Sequence, residues 1–399
     1  MTNSSFINTL PDGMRKIWEQ EGFEKATSIQ GQAFPLIMEG RDLIAQSPTG
    51  TGKTLAYLLP LLNKIDADSM QLQVVVLASS RELVMQIHNE IQKWTAGSGI
   101  RSASFIGGAN LKRQLEKLKK KPHIVVGTPG KIQELIQQKK MKMHEVKTIV
   151  LDEVDTLIVP EHFETVSSII KSTMRERQLV LFSATVTPDI AGRMGGLLNN
   201  PEYIQVKADA DFKGKVDHIY FVCEKRDKPF ILEKIARLDE GKALVFMKDI
   251  GDMEYTSSKL GFKEIEVGVL HADSNKSERE KAIKGFRKGT YPMLLSTDVA
   301  ARGLDIKGLT MVVHYDLPRT VEQYTHRSGR TGRAGNDGTV VSIITPQEER
   351  DLKRLVKQLN VTAVKKEFFQ GRIVDENPNK KKPKYTPKKS SFPKGQKRK

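Results

Sequence analysis

Short unbroken runs of β-branched and aliphatic residues recur along this chain, among them Val74-Val75-Val76-Leu77, His123-Ile124-Val125-Val126, Thr148-Ile149-Val150-Leu151 and Gln178-Leu179-Val180-Leu181-Phe182. Alternation of apolar and polar residues would mean a strand with one wet face, whereas a continuous run means a strand buried on both faces. Helical patterns separate the runs, as in Glu82-Leu83-Val84-Met85-Gln86-Ile87 and over residues 131–137. Such alternation predicts a parallel sheet covered by helices on both sides. After the polar stretch Ala208-Asp209-Ala210-Asp211-Phe212-Lys213-Gly214 the pattern restarts, with strands expected at 219–222, 243–246, 266–270, 293–296, 311–314 and 340–344, and helices at 228–238 and 277–286. The chain therefore reads as α/β, with two doubly wound parallel-sheet domains in tandem, over residues 1–207 and 216–369, joined by a linker at 208–215. Its 399 residues suit two domains of this kind. After Phe369 the composition collapses to Lys, Pro, Ser and Gly, so residues 370–399 read as a disordered basic tail.

The first domain contains Gln46-Ser47-Pro48-Thr49-Gly50-Thr51-Gly52-Lys53-Thr54, set between an apolar run and the helix-like Leu55-Ala56-Tyr57-Leu58-Leu59. A strand, a Gly-rich loop and a helix N-terminus make an anion cradle, because loop N–H groups converge and the helix dipole adds positive potential. In a phosphate loop, Gly50 and Gly52 allow close backbone approach, Lys53 reaches the β- and γ-phosphates and the Thr54 hydroxyl ligates Mg²⁺. The full pattern asks for glycine at position 47, where this chain has Ser47.

In open α/β sheets ligands sit at the carboxyl ends of the strands. One run there ends in Asp152-Glu153-Val154-Asp155, carboxylates suited to holding Mg²⁺ and to orienting or deprotonating a water. The next ends in Ser183-Ala184-Thr185, two hydroxyls able to relay hydrogen bonds. In the second domain, His326-Arg327-Ser328-Gly329-Arg330-Thr331-Gly332-Arg333 offers several guanidinium groups to one site, the side chain that best meets charge on a transferring phosphoryl group. With the cradle in one domain and the arginines in the other, ATP would bind between them.

The net charge is +17, and ten of the basic residues fall in 380–399, which points to a polyanion partner for the tail. No run of eighteen apolar residues occurs, so no membrane span is expected, and the start of the chain lacks a secretory signal pattern. The single cysteine, Cys223, reads as a small core residue, and the expected location is the cytoplasm.

Taken together and in order, these motifs resemble those of the DEAD-box RNA helicases of bacterial type, over about residues 6–369. Gly22-Phe23 with Thr27-Ser28-Ile29-Gln30 resembles the family's adenine-reading Q motif, Thr49 to Thr54 its motif I, Asp152 to Asp155 its motif II, and Ser183-Ala184-Thr185 its motif III. Ser296-Thr297-Asp298 through Asp305 resembles motif V, and His326 through Arg333 motif VI. The resemblance implies two RecA-like domains and RNA-stimulated hydrolysis of ATP with Mg²⁺. Phe23, Gln30, Thr49, Gly50, Thr51, Gly52, Lys53, Thr54 and Asp305 would hold the nucleotide, with Thr54 and Asp152 on the metal ion. Glu153 would be the catalytic base, supported by Lys53, Asp152 and the arginine fingers Arg330 and Arg333; Ser183, Thr185, Asp155 and His326 would couple hydrolysis to unwinding. RNA contacts would map to Ser80-Arg81-Glu82, Gly107-Gly108, Thr128-Pro129-Gly130-Lys131, Arg279, Thr297 and Gly303, gripping phosphates and 2′-hydroxyls without reading sequence.

The chain departs from the family pattern at four places. Val154 replaces an alanine and is expected to add bulk near the phosphate loop. Ser79-Ser80 stands where Pro-Thr is usual, an expected loosening of an RNA-gripping turn; Lys131 replaces arginine and Lys276 replaces glutamine. The expected protein is a monomeric helicase that separates short RNA duplexes, ribosomal RNA or its precursors among the candidate substrates. An ATP-gated RNA clamp or ribosome-assembly factor is the alternative on the same core, and a translocating DNA helicase a more distant one.

Overall fold

The structure is a computed structural model describing residues 5–48, 50–108, 110–206, 214–238, 241–271, 273–301, 304, 306, 308–332 and 336–375. The expectations on Thr49, Gly303, Asp305, Arg333, most of the linker and the tail beyond residue 375 lie outside these residues, as does the side chain of Lys276.

The first sheet contains β1 (Leu43–Gln46), β2 (Val74–Leu77), β3 (Ser102–Phe105), β4 (Ile124–Gly127), β5 (Thr148–Asp152), β6 (Gln178–Ser183) and β7 (Glu202–Gln205). Its order is β3-β4-β2-β5-β6-β1-β7 and every pairing is parallel. The second contains β8 (Val216–Val222), β9 (Lys242–Phe246), β10 (Gly268–Leu270), β11 (Met293–Ser296), β12 (Leu309–His314), β13 (Gly338–Ile344) and β14 (Ala363–Lys365), ordered β10-β11-β9-β12-β13-β8-β14 and again all parallel. Counted from the first strand of each sheet, the two orders are the same.

Both faces of each sheet are buried, and the pleat divides each strand between two cores. In the first unit Leu43, Ala45, Val74, Val76, Val150 and Val180 enter one core, while Ile44, Val75, Leu77, Ile149, Leu151 and Leu179 enter the other. That is why the runs are unbroken: each residue side is apolar, and each buried Val or Leu contributes about 1.5–3 kcal/mol. The helices start where local chemistry stops the strand. Ser80 Oγ accepts from Leu83 N (3.1 Å) at the head of the helix Arg81–Trp94, and Asn275 and Glu278 form a reciprocal capping box on the helix Lys276–Lys288.

Within the two seven-stranded sheets, three strands have no counterpart in the sequence reading: β3, β7 and β14. All three are sheet edges, where a strand is covered on fewer sides and carries polar residues such as Ser102, Ser104, Glu202 and Lys365. The edge strand β10 is also shorter than the 266–270 expected. Order runs past the expected boundary at Phe369: β15 (Glu367–Phe369) and β16 (Arg372–Val374) form an antiparallel hairpin. Phe368 stacks on Phe221 with ring centroids 4.8 Å apart, so apolar packing carries the chain beyond the point where composition turns polar. Cys223 is half-buried against the second unit's core, and burial pushes its thiol up. Among the described residues no helix is long and apolar enough to cross a membrane.

Candidate active site and nucleic-acid interface

β1 leads into the phosphate loop, held on β6 by the Ser47 N–H donating to Ser183 O (3.0 Å). Ser47 is fully buried, and its hydroxyl lies 2.7 Å from Thr51 Oγ1, which donates to Pro48 O (2.8 Å). The serine in place of glycine thus braces the loop from inside. Gly52 has φ +85°, and a Cβ there would come within 2.5 Å of Gln30 Nε2. That position needs glycine for backbone and for space. Gln30 is buried; its Nε2 donates to Gly52 O (3.3 Å) and its Oε1 accepts from Thr27 N (3.0 Å), tying the Q motif to the loop. Phe23 is 39% exposed, its ring edge-on to Trp18 at 5.0 Å. Lys53 opens the helix Lys53–Lys64, and its Nζ donates to Ser47 O at 2.7 Å.

At the end of β5, Asp152 is buried; Oδ2 accepts from Tyr57 OH (2.9 Å) and Oδ1 from Glu153 N (2.9 Å). Burial, then the charge of Glu153, pushes its carboxyl up to about 6 against the pull of Lys53 and Tyr57. Tyr57, on the helix that begins at Lys53 and Thr54, thus ties that helix to the Asp152 carboxyl. Glu153 sits in the left-handed region, φ +58°, a conformation costly for a non-glycine residue. Its Oε2 accepts from Ser79 Oγ at 2.7 Å. Val154 packs in the core with Leu157, so its extra methyls fill the interior.

Asp155 faces the second unit. Its Oδ2 accepts from Thr185 Oγ1 (2.9 Å) and meets His326 Nε2 at 3.1 Å, and Ser183 Oγ donates to Thr185 O (2.6 Å). Burial pushes the Asp155 carboxyl up, but His326 and Thr185 together outweigh it and hold the group below its ordinary value. His326 lies on the helix Val321–Ser328. Just beyond that helix, Arg330 points into the same cleft, with Nη2 3.9 Å from Glu153 Oε1 and with Nη1 donating to Leu304 O (3.3 Å). Arg327 braces the site from behind by a two-pronged pairing with Asp298 (2.6 and 2.7 Å) and a bond to Asp316 O (2.7 Å).

The expected RNA positions lie just beyond the carboxyl ends of β2, β3, β4 and β11, with Arg279 on the helix Lys276–Lys288. Thr128 heads the helix Pro129–Gln137, and Gly130 has open space where a Cβ would sit. The Arg81 guanidinium lies over Gly107 and Gly108, where a Cβ on Gly108 would come within 3.2 Å of it. Helix N-termini here present N–H groups suited to phosphates. Among the described residues the buried Thr297 hydroxyl has no partner. Two of these positions carry pairings within the protein. The Lys131 ammonium is buried and donates to Glu134 Oε1 (2.8 Å) on its own helix. Arg279 is ion-paired with Glu82 of the first unit and donates to Ala300 O (3.2 Å), so it fastens the two units together. In the Ser79-Ser80 turn each hydroxyl has a partner of its own.

Sequence reading missed Tyr57, Ser79 and the Glu82–Arg279 pair. Tyr57 could have been found from its spacing, one helical turn beyond Lys53 and Thr54 and so on the same face. The other two depend on tertiary packing.

A phosphate loop on one parallel-sheet unit, closed against an arginine-bearing segment of a second unit of like topology, defines a two-domain RecA-like NTPase. Comparison with known proteins narrows the class. Residues 27–192 match the DEAD/DEAH box helicase family and residues 227–335 the helicase conserved C-terminal domain. The chain is 52% identical over 386 residues to DEAD-box ATP-dependent RNA helicase CshC of Bacillus cereus, covering 96% of this chain and 99% of that one. It is 50% identical to the probable ATP-dependent RNA helicase YfmL of Bacillus subtilis, over 92% and 98% of the two chains. The solved structure of S. cerevisiae Dbp5 bound to RNA and ADP BeF3 superposes with a TM-score of 0.83 at 29% identity, covering 91% of this chain and 96% of that one. This chain belongs to the DEAD-box helicase family.

Proposed function

We propose that this protein is an ATP-dependent RNA helicase, an RNA-stimulated ATPase that separates short duplexes or remodels RNA–protein complexes by closing its two units on both ligands. The observation that carries the reading is the joining of motifs across the cleft: Arg330 beside Glu153, and His326 on Asp155. Glu153 acts as general base toward the attacking water, Arg330 meets the charge developing on the γ-phosphoryl oxygens, and Lys53 leaves Ser47 O to hold the phosphates. The Thr54 hydroxyl at the head of the helix and the Asp152 carboxyl, which is raised by burial and gains from a cation, are oxygen donors, so the residues fit Mg²⁺. Bound there with the nucleotide, Mg²⁺ would offset phosphate charge in the transition state. Gln30 keeps one N–H and one lone pair beyond its bonds to Gly52 and Thr27, enough to meet an adenine edge beside Phe23.

RNA is gripped through Ser80, Arg81, Gly108, Thr128, Gly130 and Thr297, and its closure of the cleft and that of ATP favour one another. The reading takes residues 1–207 and 216–375 as the two domains, and the protein as a cytoplasmic monomer with ribosomal RNA or its precursors as first substrates to test. Steady-state ATPase with and without single-stranded RNA tests it. Strong stimulation by RNA and little by DNA, lost in Lys53→Ala and Glu153→Gln, is the expected result. Stable ATP-dependent RNA binding without turnover would replace the helicase with a clamp.

A further inference from the structure

The segment following β2 reaches four different parts of the molecule in four consecutive residues. Ser79 Oγ donates to Glu153 Oε2 at 2.7 Å, Ser80 caps the helix Arg81–Trp94, Arg81 covers Gly107 and Gly108, and Glu82 pairs with Arg279 of the second unit. The last three brace a helix start, a glycine turn and the second unit; the first reaches the carboxylate assigned above as the base. The register explains why it can. β2 and β5 are adjacent and parallel with Leu77 opposite Leu151, so continuing two residues along each strand brings Ser79 opposite Glu153. A proline at position 79 has no donor to offer, and the hydroxyl here is a feature of this chain's own sequence.

We infer that Ser79 is a positioning residue for Glu153, through which the RNA-gripping segment sets the orientation of the catalytic carboxylate. The two oxygens of that carboxylate are differently engaged. Oε2 is held by Ser79 from the first unit, and Oε1 lies 3.9 Å from Arg330 of the second. The Glu153 backbone is already confined to the left-handed region, so the remaining freedom is in its side-chain torsions, and one hydrogen bond from a short, half-buried serine removes most of it. When RNA draws Arg81 and Glu82 into the closed cleft, the adjoining Ser79 holds Glu153 with one oxygen directed across the cleft, where the reacting water must lie. RNA binding and base orientation are then linked through adjacent residues. The inference rests on the reading of Glu153 as general base.

The test is RNA-saturated ATPase of the full chain in Ser79→Ala, Ser79→Thr, Glu153→Gln and the double variant Ser79→Ala/Glu153→Gln, with KM for ATP and RNA affinity measured alongside. Loss of one orienting hydrogen bond should lower kcat about 5- to 20-fold in Ser79→Ala while KM for ATP and RNA affinity stay within about twofold. Ser79→Thr, which keeps the hydroxyl, should recover most of the rate, which also separates a folding defect from a positioning one. In the Glu153→Gln background, Ser79→Ala should cost nothing further, because the group it orients has gone. An unchanged kcat in Ser79→Ala, a loss confined to RNA affinity, or a full additional loss in the double variant would each overturn the inference. Full turnover in Glu153→Gln would overturn the general-base reading instead, a distinct outcome.

Discussion

The two units share one strand order but use the equivalent place in it for opposite purposes. In the first, β1 runs into a loop with left-handed glycines, and the following helix opens with Lys53. In the second, β8 runs into Cys223-Glu224-Lys225-Arg226-Asp227, with no glycine, and the following helix opens with Lys228. Both are lysines at the first turn of the first crossover helix. Lys53 lies over a phosphate loop, whereas Lys228 is buried, donating to Tyr315 O (2.8 Å) and pairing with Glu348 at 3.3 Å. The same topology therefore carries chemistry in one unit and structure in the other, and the loop between strand and helix decides which. The second unit reaches the cleft from a different strand end, where Arg330 lies beside Glu153 and His326 beside Asp155.

The sharpest break of this comparison is to remove the second unit's share of the chemistry. Arg330→Ala should lower RNA-saturated turnover by about 10²- to 10³-fold, comparable with Lys53→Ala, while nucleotide still binds. Turnover within a few-fold of wild type would confine the active site to the first unit.

The paired lysines offer a cleaner contrast. Lys228→Met removes a buried donor from Tyr315 O and a partly exposed partner from Glu348, so the second unit should lose about 1–2 kcal/mol in denaturant unfolding with kcat nearly intact. Lys53→Ala should do the reverse. If Lys228→Met instead abolished turnover at unchanged stability, the two lysines would not be functionally distinct.

The bridge between units comes next in size. Charge reversal at Glu82→Lys or Arg279→Glu should cut RNA-stimulated turnover about 5-fold each, and the double reversal should restore most of it. Failure of the double variant to recover would show that Arg279 acts on RNA directly, as the family resemblance implied.

The smallest effect concerns His314, fully buried on β12 between Tyr324 and Ser342 and lowered well below 6.5 by burial, with Arg327 and His218 adding to it. The unfolded chain binds a proton there below about pH 6.5 and the folded chain does not, so stability is full above that pH and falls as pH drops. About 1 kcal/mol should be lost by pH 5.5. Thermal unfolding from pH 7.5 to 5.5 should show this slope flattened in His314→Asn, whereas the first unit contributes nothing to it through this residue.

Much of the fold was legible because the central strands are buried on both faces, and a run such as Val74 to Leu77 has few other readings. The edges were not, since β3, β7 and β14 have no second neighbour to demand apolar residues, and their pairing depends on the sheet already being there. The hairpin that carries order past Phe369 escaped notice for a related reason: two apolar side chains, Phe368 and Ile373, hold it against the core inside a polar stretch.

The site divides in the same way. Loop chemistry, strand-end carboxylates and the arginine segment are local patterns, because backbone conformation and side-chain type over a few residues determine what they can bind, and these the sequence by itself determined. Tertiary structure alone decided which groups meet. It set Arg279 against Glu82 across the two units, sent Val154 into the core and set Ser79 against Glu153. Each depends on strand register or on the closure of one unit on the other, distances between residues far apart in the chain that no local pattern encodes.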